Sequence, residues 1–171
     1  MKRFFIGFLI LTLLSIPSLF AATGSDSHDV QIDIAEIAAI ALTDTTVLTL
    51  STNNPAQAGD VPQGDTDSAR YLQYTTLNTT GFTRKIQCSL DISEPGGVDL
   101  LLTLSGGIGT SAGQVTLTTT DQDMVTAIGS GNTGITATDG DNLAWVLAVT
   151  DSTALVVGSS TVTATFTLTE D

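Results

Sequence analysis

The sequence has little positive charge, few aromatic residues and a single cysteine. Cys88 has no partner for an intramolecular disulfide, so the fold has to rest on packing and strand pairing. Only 5 basic residues stand against 18 acidic ones, which gives a net charge of −13. Nucleic acids and anionic membrane surfaces both attract clustered Lys and Arg, so this composition argues against either as a partner.

Histidine is nearly absent as well. His28 is the single histidine, and it lies in a polar stretch close to the start of the chain. Nucleophilic catalysis needs a histidine or another base held in a rigid shell. Cys88 alternates with Ile86 and Leu90, which predicts a buried structural thiol. No spacing of the acidic residues singles out a catalytic pair, so we expect a protein that is not an enzyme.

The first residues resemble an export signal. Lys2 and Arg3 precede an apolar stretch over residues 4–14, and small residues follow at Ala21 and Ala22. This layout predicts a secretory signal peptide over residues 1–21 and one domain over residues 22–171. The expected location is therefore secreted, either periplasmic or at the cell surface, with no membrane insertion after cleavage.

Threonine, valine and glycine are abundant, and apolar residues recur at every second position. In residues 161–169, Val162, Ala164, Phe166 and Leu168 share one face and threonines occupy the other. This is the pattern of a half-buried antiparallel strand. Further strands are predicted over residues 45–50, 69–77, 83–92, 98–104, 114–120 and 143–149, the last in a central position. Residues 51–68 are predicted to form a long polar loop.

The sequence thus predicts an all-β protein with about eight short antiparallel strands in a two-sheet sandwich. Residues 30–42 are ambiguous, because Val30, Ile32 and Ile34 alternate whereas Ile34, Ile37 and Ile40 recur every three residues. A strand with a bulge near Glu36 is favoured over a short helix, since the surrounding segments are all β.

Acidic residues two apart in three predicted turns suggest possible calcium ligands. They are Asp65 with Asp67, Asp121 with Asp123, and Asp139 with Asp141. Carboxylate oxygens suit calcium, and Asp139 with Asp141 form the best candidate site. The alternative is that these residues only shape turns, which is a common role of Asp. No other cofactor is expected.

The last strand carries a resemblance to known families. The run Leu-Val-Val-Gly-Ser-Ser-Thr-Val-Thr-Ala-Thr-Phe-Thr-Leu-Thr over residues 155–169 resembles the end of fimbrial subunits and spore coat protein U-like proteins, which are secreted bacterial β-sandwich proteins. The resemblance implies an immunoglobulin-like sandwich and assembly through donated strands. Paired cysteines are frequent in those families, and here Cys88 is alone.

These observations predict a non-enzymatic structural or adhesion protein, a surface or fibre subunit that acts through edge strands and loops. Its partners would be other protein subunits or surface components, with self-association possible. Residues 30–42 could then either pair within their own sandwich or cross to the next subunit. The alternative is an extracellular module that binds carbohydrate or calcium. Carbohydrate binding would need Tyr71 and Tyr74 to be exposed, because Trp145 lies in a run that looks buried.

Overall fold

The computed structural model describes residues 26–171. The predicted signal peptide, residues 1–21, lies outside the described residues. The chain divides into two units, Met1–Asp33 and Ile34–Asp171. In the first unit, the described residues 26–33 form no strand or helix. The second unit contains every strand described below.

The second unit is all-β, as the sequence predicts. Eight strands have three or more residues: β1 (Ile37–Leu42), β4 (Thr66–Leu77), β5 (Arg84–Leu90), β6 (Val98–Ser105), β8 (Gln114–Thr116), β9 (Gln122–Ile128), β11 (Asp141–Val149) and β12 (Ala164–Glu170). Four more have two residues each: β2 (Thr52–Asn53), β3 (Gln63–Gly64), β7 (Thr110–Ser111) and β10 (Gly131–Asn132).

The strands form two main antiparallel sheets that pack face to face. The first has the order β1-β4-β11-β6-β8, with β10 added beside β4. The second has the order β12-β5-β9-β7, and β2 and β3 make a separate small ribbon. The predicted β-sandwich is therefore confirmed, and β11 is central as expected, since it pairs with both β4 and β6.

The core lies between the sheets and follows the period of two. In β5, Ile86, Cys88 and Leu90 are buried, while the residues between them are partly exposed. The facing sheet contributes Leu102 and Leu104 of β6, both fully buried. The complete buried apolar set is Leu72, Tyr74, Ile86, Cys88, Leu90, Leu100, Leu102, Leu104, Leu117, Met124, Val125, Ile128, Leu143 and Trp145. Truncation of one such leucine to alanine costs about 2–5 kcal/mol.

Two segments that precede or begin β4 differ from the sequence prediction. Residues 45–50 form no strand, yet Leu48 and Leu50 pack against the core. Arg70 holds this irregular segment by donating to the Thr46 carbonyl at 2.7 Å. The alternation of apolar residues over 45–50 therefore reflects the burial of Leu48 and Leu50, although this segment pairs with no strand. Within residues 51–68, predicted as a loop, β2, β3 and the start of β4 form instead.

The ambiguous segment resolves into two parts. Residues 37–42 form β1, which pairs along its whole length with β4, so the strand prediction is correct there. Residues 30–36 are outside any strand, and neither the bulge near Glu36 nor the helix is present. The predicted strand over residues 114–120 is also shorter, Gln114–Thr116. Strand β9, which contains the buried Met124 and Val125, was not predicted.

Candidate interaction site

Two edge strands lie on the same side of the sandwich. Strand β1 ends the first sheet and β12 ends the second, and within the described residues each pairs with one neighbour only. An apolar cavity of about 200 Å³ opens between them. It is lined by Ile40, Ala41, Leu42, Leu72, Ala164 and Phe166. We name this side, comprising β1, β12 and the cavity, the open edge.

The side chains of the open edge belong to the core but are not fully covered by it. Ile40 and Leu42 of β1 and Phe166 and Leu168 of β12 are partly buried and pack against the core cluster. Their position follows from alternation, because Ile40 and Leu42 pair with the buried Tyr74 and Leu72 and so share their face. The open edge therefore exposes apolar side chains beside two strands with free backbone groups.

An aromatic contact joins the two sheets beside the cavity. The rings of Trp145 and Phe166 meet edge to face, with centroids 6.4 Å apart and an interplanar angle of 80°. Trp145 is buried, as the sequence indicates, and its indole Nε1 finds no hydrogen-bond acceptor in the described part of the chain. Trp145 therefore connects the core to the open edge through its contact with Phe166.

The opposite side of the sandwich is built differently. There the chain crosses from β6 to β7 in the second sheet and returns to β8 in the first. The Ser111 hydroxyl donates to the Leu104 carbonyl, and the Ala112 N–H donates to the Met124 carbonyl at 2.9 Å. The Ser111 bond joins the two sheets, because β6 and β7 belong to different sheets, whereas the Ala112 bond extends the pairing of β7 with β9. We name this side, comprising β7, β8 and the connecting residues 106–113, the closed edge.

A row of exposed apolar residues precedes β1. Val30, Ile32 and Ile34 are 68%, 78% and 77% exposed. Gln31 and Asp33 alternate with them, and the Gln31 side chain donates to the Asp33 carboxylate at 3.0 Å. We name residues 30–34 the lead-in segment. It has the alternation of a half-buried strand while its apolar residues remain in solvent.

Glu36 fixes the point where the chain enters the sandwich. Its Oε1 accepts hydrogen bonds from the N–H of Thr79, at 3.1 Å, and from the Thr79 hydroxyl, and its Oε2 lies 3.5 Å from Arg84 Nη2. Arg84 donates in turn to Asn78 Oδ1 at 3.0 Å, and Asn78 donates to the Ile128 carbonyl at 2.9 Å. The Thr79 hydrogen bonds, together with the Arg84 charge, lower the pKa of Glu36. We name this set of contacts, made among Glu36, Asn78, Thr79 and Arg84, the Glu36 clamp. No sequence pattern predicts it, because Glu36 lies 43 residues from Thr79.

The calcium candidates Asp139 and Asp141 have separate partners. Asp139 Oδ2 accepts from the Thr136 N–H at 2.7 Å in an exposed turn. Asp141 is buried: its Oδ1 accepts from the Gly107 N–H at 2.9 Å and its Oδ2 from the Tyr74 hydroxyl at 2.9 Å. Burial raises the pKa of Asp141, against the hydrogen bonds that lower it. Calcium binding by this pair stays a prediction, and the geometry gives it no support.

The other acidic pairs also have local partners. Asp65 Oδ2 accepts from the Ser51 N–H at 3.0 Å, and Asp123 lies 3.2 Å from Lys85 Nζ and accepts from Gln87. Among residues 26–171, no group of three or more His, Cys, Asp or Glu side chains is arranged to hold a metal ion.

The remaining candidate residues are placed as follows. Cys88 is fully buried, which confirms the structural-thiol prediction, and burial, with a smaller contribution from the Asp121 charge, raises its pKa to about 12. His28 is exposed in the first unit. Tyr74 is 3% exposed, so it offers no stacking surface to a sugar, and Tyr71 is half-buried.

In residues 26–171 no helix has the length and apolar character needed to cross a membrane. Comparison with known proteins finds no matching family model, no matching curated protein and no matching solved structure.

Proposed function

We propose that the protein is an exported, non-enzymatic surface or fibre subunit, and that its open edge takes up the lead-in segment of a second copy. The observation that carries this proposal is that two complementary features occur in the same chain. An apolar cavity flanked by two free strand edges occurs together with an exposed, alternating apolar segment.

The backbone supports this mode of binding. A strand that enters the open edge pairs with the free N–H and C=O groups of β12 or β1, as in other cases where an extended segment completes a sheet. Five residues in extended form span roughly 17 Å, which is the usual length of a strand. The lead-in segment is therefore long enough to pair along most of β12.

The side chains support it too. Val30, Ile32 and Ile34 point to one face of an extended strand, where they can meet Ile40, Leu42 and Phe166 in the cavity. Each such side chain contributes about 1.5–3 kcal/mol when it leaves water. Gln31 and Asp33 fall on the opposite face and stay in solvent. The segment thus has an apolar face for the cavity and a polar face for water.

The contact has a direction. The lead-in segment of one copy binds the open edge of the next, so the two contacting surfaces are different and the contact runs head to tail. Contacts of this kind propagate as filaments when the rotation between copies does not close a ring. The excess of acidic residues keeps such an assembly soluble. The immunoglobulin-like topology, the fimbrial resemblance and export remain predictions within this proposal.

The rival function, binding of carbohydrate or calcium, has no comparable support. Tyr74 and Trp145 are buried, and Asp139 and Asp141 bind different groups.

Size measurements test the proposal. We expect the molar mass of the exported protein, measured by light scattering, to rise with concentration. Ile32→Asp should abolish this rise, because it would put a charge into the apolar cavity, while the melting temperature of the single copy stays unchanged. Gln31→Glu is the matched control, since residue 31 lies on the polar face and should assemble normally. A wild-type protein that remains a monomer at the highest attainable concentration would contradict the proposal.

A further inference from the structure

Only Ala35 and Glu36 separate the lead-in segment from β1 along the chain, so the free strand edge nearest to it in sequence is that of its own β1. If the segment folded back as a hairpin along that edge, the copy would close itself and could not take up another. The spacing between the segment and β1 decides whether such a hairpin buries the correct face, because strand alternation has a period of two.

The inward face of β1 is known from its partners. Ala38, Ile40 and Leu42 pair with Thr76, Tyr74 and Leu72 of β4, all of which are buried. Ile37, Ala39 and Ala41 pair with Leu77, Thr75 and Gln73, which are exposed or only partly buried, and so face outward. A strand added to the free edge of β1 must therefore place its apolar residues opposite 38, 40 and 42.

The shortest hairpin between the lead-in segment and β1 would use Ala35 and Glu36 as a two-residue turn. It pairs Ile34 with Ile37, Ile32 with Ala39 and Val30 with Ala41, and all three apolar residues then face solvent. Opposite the inward residues 38, 40 and 42 it places Asp33, Gln31 and Asp29. Burying two carboxylates and an amide without partners costs several kcal/mol, so this hairpin is excluded. Ala35 and Glu36 also lack the Asn or Gly that such turns require.

A three-residue turn over residues 34–36 restores the correct face. It pairs Ile32 with Ala38 and Val30 with Ile40. The common three-residue turn needs a left-handed conformation at its third position, which here is Glu36. A glutamate is disfavoured in that conformation by about 1–2 kcal/mol. This turn would also have to release the Glu36 carboxylate from Thr79 and Arg84.

We propose that the spacing between the lead-in segment and β1, together with the Glu36 clamp, prevents each copy from closing its own open edge. The segment of a second copy has no connecting turn, so its register is free and Val30, Ile32 and Ile34 all reach the cavity. This inference rests on the proposed function and adds the reason why the segment of a second copy is taken up in preference to the copy's own.

Two variants of the exported full-length protein test the inference. Both have the same turn residues, Asn-Gly, but a hairpin places Val30, Ile32 and Ile34 on the inward face in one variant and on the outward face in the other. In the closing variant, Glu36 is replaced by the dipeptide Asn-Gly. A two-residue turn then pairs Ile34 with Ala38, Ile32 with Ile40 and Val30 with Leu42, which is the inward register. In the matched control, Ala35→Asn and Glu36→Gly form the same turn without the added residue. Both variants lose the Glu36 clamp and carry the same Asn-Gly turn, and the residue added in the closing variant, which keeps Ala35, shifts the register by one.

The closing variant should be a monomer at concentrations where the wild-type protein assembles. Its melting temperature should rise, and amide hydrogen exchange over residues 30–34 should slow by at least about tenfold in dilute solution. The control should assemble like the wild type and exchange rapidly when dilute.

The outcomes separate the two proposals. If both variants assemble like the wild type, or if both close, register does not control self-closure and the inference is overturned. Slow exchange over residues 30–34 in dilute wild-type monomer also overturns it, because it would show a self-closed edge. If the wild type never assembles, the proposed function fails. The inference survives that result if the closing variant alone gains protection at residues 30–34, and is overturned if it does not.

Discussion

The open and closed edges of the sandwich differ in how much unpaired strand backbone they leave at the ends of the two sheets. Both sheets end on each side, and every end leaves unpaired backbone groups. At the closed edge the end strands have two and three residues, and the chain crosses between the sheets. At the open edge they have six and seven, and the cavity lies between them. A protein that needed only to avoid aggregation would be expected to blunt both edges, and this difference is what supports the role proposed for the open edge.

The closed edge should be sensitive to an added methyl group at Gly109, where it is tightly packed. Gly109, in the connection from β6 to β7, has φ +107°, and a Cβ there would lie 2.7 Å from the Thr126 carbonyl oxygen and 2.9 Å from Ile128 Cγ1 and Val125 Cγ1. Backbone strain and overpacking together predict that Gly109→Ala lowers the free energy of unfolding by about 2–5 kcal/mol. Chemical denaturation of the monomer measures this.

Gly113 provides the control for that variant. It also has a positive φ, +79°, but a Cβ there meets nothing within 4 Å. Gly113→Ala should cost only the backbone term, about 1–2 kcal/mol. Equal losses for the two variants would show that the closed edge is not tightly packed at Gly109.

At the open edge, Phe166→Ala should affect assembly more than stability. The substitution removes the edge-to-face contact with Trp145 and one wall of the cavity, but the Phe166 side chain is only partly buried. We expect a loss of about 1–2 kcal/mol in the free energy of unfolding, below the 3–5 kcal/mol typical of a buried phenylalanine. Assembly measured by light scattering should be lost. Leu102→Ala, at a fully buried site, should show the reverse, with a larger loss of stability and retained assembly where the variant remains folded.

The two edges should also respond oppositely to pH. Asp141 binds the Gly107 N–H at the start of the closed edge, and burial raises its pKa. Its contribution to stability is therefore fully present below the pKa of the unfolded state and is lost as the pH rises through the higher pKa of the folded state. Glu36 sits at the entry to β1, and its pKa is lowered. Its contribution is present above the unfolded pKa and is lost as the pH falls through the folded one.

Carboxyl NMR titration of the folded protein checks both signs. The Asp141 resonance should titrate above the ordinary range of an aspartate, and the Glu36 resonance below that of a glutamate. In Asp141→Asn the part of the stability that declines with rising pH should disappear, while in Glu36→Gln the part that declines with falling pH should disappear. Titration of both groups at ordinary values would remove this distinction between the edges.

The alternating residues were sufficient to predict most of the sandwich. Ile86, Cys88 and Leu90 identify β5, and Val162 to Leu168 identify the face of β12, because burial on one face imposes a period of two. The same rule misplaced residues 45–50, where Leu48 and Leu50 reach the core from an irregular segment held by Arg70. It also missed β9, whose adjacent Met124 and Val125 are both buried, so that simple alternation fails.

The site was only partly predictable. The apolar alternation of the lead-in segment is visible in the sequence, but its exposure is not, since the same pattern suits an internal strand. The open edge depends on β1 and β12 lying side by side, which is a matter of strand order across the whole chain. The burial of Asp141 could not be inferred either, because its partners Tyr74 and Gly107 lie 67 and 34 residues away.

The smallest expected effect concerns Ala127 in β9, the strand next to the closed edge. Ala127 has φ +54°, a left-handed conformation that is unfavourable for alanine, and it sits where the pairing of β9 with β5 shifts register. Its N–H donates to the Asp171 carboxylate at 2.9 Å, which holds the irregularity in place.

Glycine adopts this conformation freely but is more flexible in the unfolded chain. Relief of about 1–2 kcal/mol of strain against an entropic cost of about 0.5–1 kcal/mol predicts that Ala127→Gly stabilises the protein, by at most about 1.5 kcal/mol. Thermal unfolding measures the change, and Ala148→Gly, at a regular position of β11, should be destabilising instead. A loss of stability in both variants would mean that the backbone at residue 127 carries no strain that glycine can relieve.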